Sequence, residues 1–87
     1  MDVHSRDALV LANEGLAAEL SIVWDDRIEG HDRDDLAQEC RLALTAAASA
    51  WDGEPGRFAP WARLCIETHL RRLRFENLQR TANSITR

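Results

Sequence analysis

Trp61, Leu64, Thr68, Arg71 and Arg72 share one helical face within Gly56–Arg74, GRFAPWARLCIETHLRRLR. An indole followed by guanidinium groups on a single face has the chemistry to stack on an unpaired base and pair with its phosphates. Arg57, Arg63 and Arg74 add further cations, and phosphate contacts of that kind hold a strand in register without reading its sequence. Every basic side chain is arginine, with no lysine. Arginine is the better phosphate fork and the better stacking plane. A second stripe on the same segment, Ala62, Ile66, His69, Leu70 and Leu73, has the spacing of a face laid against a core.

Three other groupings have residue types that could do chemistry. Cys40, Cys65 and His69 are a partial zinc set, but a fourth ligand has no obvious place and the positions coincide with the core stripes, so neither metal nor cofactor is expected. The acid pairs Asp25–Asp26 and Asp34–Asp35 lie at helix ends with no histidine or pocket signal beside them, and there is no glycine-rich phosphate loop. Catalysis is therefore not expected. Asp35, Gln38 and Glu39, at i, i+3 and i+4, form a polar patch able to pair with arginines of a partner helix.

The elements that must position these groups are all helical. An 87-residue chain supports one domain, and 45% apolar with 30% charged residues, two prolines and four glycines is the composition of an ordered protein. Helix one is expected from about Ser5 to about Asp26, with Ser5 as cap, Leu9, Asn13, Leu16, Leu20 and Val23 inward, and Trp24 plugging the core edge. Gly30 and His31 then form a turn, and Asp32 with Asp35 makes a carboxylate capping box opening helix two. That helix runs to about Ala50 with Leu36, Cys40, Ala43, Leu44, Ala47 and Trp51 inward, its alanines suited to close helix approach. After the loop Trp51–Gly56, helix three starts at Pro60, where a missing amide hydrogen costs nothing, and ends near Gln79. The domain is thus placed at residues 1–80, with 81–87 a polar tail or the start of a linker. The fold expected is all-α, a three-helix bundle.

Charge is divided along the chain. Residues 1–56 hold thirteen Asp or Glu against four Arg, a balance of −9; residues 57–87 hold seven Arg against Glu67 and Glu76, a balance of +5. Such polarity suits an acidic surface for one partner and a basic surface for nucleic acid. No apolar run is long enough to span a membrane and no secretory leader pattern is present, so a cytoplasmic location with no membrane partner is expected, and the two cysteines are expected to be buried, reduced thiols.

Two strings and the loop between them carry a family resemblance. Asp35-Leu36-Ala37-Gln38-Glu39, the aromatic-acidic pair Trp51-Asp52, and Arg57-Phe58-Ala59-Pro60-Trp61-Ala62 follow in the order and spacing of region 2 of the bacterial RNA polymerase sigma factors. Leu9, Val10 and Asn13 fall on that family's Leu-Val-x-x-Asn. The similarity covers about Leu9 to Arg74 and resembles the minimal or extracytoplasmic-function type, without region 4. It implies a transcription initiation module whose helix two docks on the clamp helices of the polymerase largest subunit through Asp35, Gln38, Glu39 and Arg41. It further implies recognition of a minus-ten-type promoter element, as a non-template single strand, through Trp51, Arg57, Trp61, Arg63, Leu64, Thr68, Arg71, Arg72 and Arg74. Within that set Trp61 falls on the aromatic that stacks on the flipped adenine. An anti-sigma factor or a separate region 4 protein would be further partners. The wedge tryptophans of primary sigma factors fall on Leu64 and Cys65, so binding is implied more than melting. The alternative is a sigma-derived interaction protein that occupies polymerase or another regulator without opening DNA.

Overall fold

In the computed structural model, which describes residues 3–85, the chain folds as α1 (Val3–Ala12), α2 (Glu14–Trp24), α3 (Arg33–Ala50) and α4 (Phe58–Ile85), with a 3-10 turn at Pro55–Arg57 leading into α4. The described residues contain no strand. The expected all-α class is observed, with four helices where three were expected. The expected first helix is broken at Asn13, whose backbone leaves helical geometry (φ −120°, ψ 13°) and whose side-chain amide donates to the Leu9 carbonyl at 2.8 Å. Asparagine competes with the helix for its own backbone groups in this way, and Gly15 just beyond lowers the helical preference further. Within α2 the buried face is Ala17, Leu20, Ser21 and Trp24, so Val23, expected inward, is exposed, whereas Leu9, Leu20 and Trp24 are buried as expected. Ser5 sits inside α1 and is not its cap.

The start of α3 follows the expected rule: Asp32, in extended conformation, accepts from the Asp35 amide at 2.8 Å. That bond satisfies one of the four donors a helix start leaves open. Asp32→Ala is expected to lower the melting temperature by roughly 4–8 °C in a calorimetric scan, the effect of about 1 kcal/mol on a domain this size. Ahead of it, Gly30 turns the chain through φ +85°, a conformation side chains resist.

Helix α4 begins at Phe58, making Pro60 its third residue; the absent amide hydrogen is still among the four with no intrahelical partner. It continues past Gln79 to Ile85, so the segment expected as a tail is helical from Thr81 to Ile85, and residues 86 and 87 lie outside the described residues. At about 1.5 Å per residue, α4 is roughly 42 Å long, in a molecule measuring 49 × 20 × 19 Å.

The core is assembled where α3 packs on α2 and α4. Leu36, Cys40, Leu44, Ala47 and Ala48 from α3 are buried with Phe58, Ala62, Ile66 and Leu70 from α4 and with Leu9, Ala17, Leu20, Trp24 and Ile28. Alanine on the facing surfaces of α3 and α4 permits their close approach. Among the described residues, no helix is long and apolar enough to cross a membrane.

Candidate nucleic-acid interface

Three aromatic rings join the loop after α3 to the start of α4. Phe58 is fully buried, and around it Trp51 and Trp61 lie with ring centroids 5.1 Å apart and planes inclined by 35°. Phe58 is 5.9 Å from Trp51 and 6.2 Å from Trp61. Offset and edge contacts at these separations suit the ring quadrupoles. The Trp51 indole N–H donates to the Glu54 carbonyl at 3.2 Å, closing the loop on itself. The ring lies so tightly over Gly53 that a methyl group there would come within 2.5 Å of it. Glycine at 53 is therefore a condition for seating Trp51.

Trp61, half-buried, forms one wall of a groove of about 370 Å³ between α3 and α4. Alanines 43, 46, 47 and 50 line the α3 side, and Cys65, Thr68, His69 and Arg72 continue the α4 side. Small methyl groups opposite an indole, with a guanidinium at the far end, are an apolar slot with a cation beside it. That combination accepts a planar, negatively flanked group. The Thr68 hydroxyl donates to the Leu64 carbonyl at 2.8 Å, leaving its oxygen free to accept.

The expected cationic face divides into two. Trp61, Thr68 and Arg72 line the groove, whereas Leu64 and Arg71 point to solvent on a different side of α4. Arg72 donates to His69 Nδ1 at 3.1 Å, which places the ring proton on Nε2, and that nitrogen donates to the Glu39 carboxylate at 2.6 Å. The chain Glu39–His69–Arg72 thus ties α3 to α4 and aims Arg72. Its partners are thirty residues apart in sequence, so no local spacing announces it. Arg63 is shared between Glu19 at 3.9 Å and Glu67 at 3.7 Å. Arg57, Arg71 and Arg74 are exposed and carry no ion pair among the described residues.

The polar patch on α3 is also rearranged. Gln38 and Arg41 share a shallow outer surface with Asp34, Ala37, Leu42 and Thr45, and Asp35 is exposed nearby. Glu39 is half-buried and turned toward α4 by its bond to His69, and Arg41 reaches Glu14 at 3.3 Å. Asp35 and Gln38 are therefore the members of the set that are exposed and carry no ion pair among the described residues.

Both thiols are free, Cys40 buried and Cys65 half-buried in the groove. Burial, with the Glu39 carboxylate adding to it, pushes the Cys40 thiol up to about 11, and burial raises Cys65 as well. Neither is poised as a nucleophile. Among the described residues, no group of three or more His, Cys, Asp or Glu side chains is placed to hold a metal ion. Compared with protein-family models, with curated proteins and with solved structures, the chain matches none of them.

Proposed function

We propose that the protein is a sigma region 2-like transcription initiation module that docks on the clamp helices of RNA polymerase and binds a minus-ten-type element as single-stranded DNA. In this reading its helices form a sigma region 2 bundle. The observation that carries it is the groove with Trp61 at one end and Arg72 at the other. A base entering it would stack on the indole while the strand's phosphates met Arg72, with Arg57, Arg71 and Arg74 on the surrounding surface. Docking on polymerase would use the outer surface of α3, chiefly Gln38, Asp35 and Arg41. The function is one of binding, not catalysis.

The test is fluorescence anisotropy with labelled single strands carrying or lacking a minus-ten-type sequence, on the free protein and on its complex with polymerase. Trp61→Ala is expected to weaken binding by roughly 5- to 150-fold, the loss of about 1–3 kcal/mol from one stacked base, with polymerase capture unchanged. Gln38→Ala combined with Arg41→Ala is expected to reduce capture by the clamp helices and to spare the Glu39–His69 contact. Sequence-independent DNA binding, together with indifference to Trp61→Ala, would sink the proposal.

A second reading has its own support. Leu64 and Cys65 occupy the positions of the family's wedge, one exposed and one lining the groove. Neither offers a ring to separate base pairs. A protein that occupies polymerase or another regulator without opening DNA would retain the α3 dependence and show no response to Trp61→Ala.

A further inference from the structure

His69 has the spacing of the core stripe, yet its ring stands in the wall of the groove with a partner on each nitrogen. Nε2 meets the Glu39 carboxylate at 2.6 Å, and Nδ1 meets Arg72 Nη2 at 3.1 Å. The His69 and Glu39 side chains are 21% and 32% exposed, so solvent does not fully screen them from each other. Two charges act on the ring from opposite ends: the carboxylate favours a second proton and the guanidinium opposes it.

The other charges near α4 are engaged elsewhere. Alanines form the α3 wall of the groove, and Cys40, next to Glu39 in sequence, is a buried thiol. On α4 the other titratable side chain lining the groove is the Cys65 thiol, one turn before His69. Glu19 of α2 reaches α4 at Arg63, and Glu67 meets the same guanidinium. Among the described residues, Arg72 is therefore the cation that opposes a second proton on the ring.

An anion in the groove reverses that balance. The Arg72 side chain is exposed and long enough to swing aside and admit a phosphate between itself and the ring. The phosphate accepts from the guanidinium, and Nδ1, no longer an acceptor for Arg72, takes a proton from water and donates to the same anion. Glu39 keeps hold of the far nitrogen, so the ring changes charge without losing its orientation. We infer that, on the reading of the groove as a single-strand site, a backbone phosphate is held jointly by Arg72 and a doubly protonated His69. The strand then binds together with a proton.

Fluorescence anisotropy tests it, with a labelled single strand of minus-ten-type sequence and the full chain, alone and on polymerase. Titrations run from about pH 8.5 to about pH 6 at fixed salt, a window in which histidine titrates and phosphodiesters stay ionised. Affinity is expected to rise as pH falls, by up to about tenfold per pH unit, the linkage slope for one proton. His69→Gln is expected to flatten the profile. Glu39→Gln keeps an acceptor for Nε2 without the charge, and is expected to move the rise to lower pH. A flat profile for the unsubstituted chain overturns the inference. So does a slope unchanged in His69→Gln, which belongs to another histidine, or a rise that Glu39→Gln leaves in place. In those cases Trp61→Ala still weakens binding and the groove remains the strand's site. No strand binding at any pH, or binding indifferent to Trp61→Ala, overturns both.

Discussion

Phe58→Ala is expected to reduce the unfolding free energy by about 3–5 kcal/mol, the range for truncating a fully buried aromatic. The ring is 0% exposed and sits at the foot of α4, where the loop from α3 joins it. Two losses combine there. Apolar area returns to water, and the cavity left behind borders Trp51 and Trp61, whose rings lie 5.9 and 6.2 Å from it. A domain of this size has a total stability of about 5–15 kcal/mol, so urea denaturation followed by tryptophan fluorescence should show a much lower midpoint with little change in slope. In the folded fraction the Trp51–Trp61 pair loses its support. Single-strand binding is therefore expected to fall as well, even though Phe58 lines no groove.

Leu44→Ala is expected to cost about 2–5 kcal/mol, whereas Leu42→Ala, two positions away on the same helix, should change stability by no more than about 0.5 kcal/mol. Leu44 is 0% exposed in the middle of α3, the helix that packs on α1, α2 and α4. Leu42 is 58% exposed and lies on the outer surface beside Gln38 and Arg41. The same residue type on the same helix separates burial from composition. Equal effects in chemical denaturation would mean that α3 is rotated about its axis from the orientation described, moving the proposed docking surface with it.

The contrast between those two leucines was legible in the sequence, because the period of α3 separates Leu36, Cys40, Leu44 and Ala47 from Asp35, Gln38 and Leu42. The Asp32 cap was legible for a similar reason: its whole geometry lies within four residues. The break at Asn13 was not. Leu9, Leu16 and Leu20 continue a helical stripe through it, and only the three-dimensional path shows the asparagine side chain capturing the Leu9 carbonyl. The division of the α4 face escaped for another reason. Which side of a helix becomes a groove depends on where its neighbour lies, and the alanine wall of α3 meets α4 along Trp61, Cys65, Thr68 and Arg72. Glu39 is the plainest case. From the sequence it belongs with Gln38 as a docking group; in the fold, His69 claims it.

One unbroken helix carries both Trp61 and Phe75. Fourteen residues of helix amount to about 21 Å, so α4 acts as a ruler between the groove and the exposed Phe75–Leu78 surface. The exposed Phe75 ring has a fixed distance and bearing from the Trp61 side chain. Inserting a single residue between them would rotate the two surfaces by about 100° while lengthening the span by only about 1.5 Å. Orientation, far more than separation, is what this helix transmits.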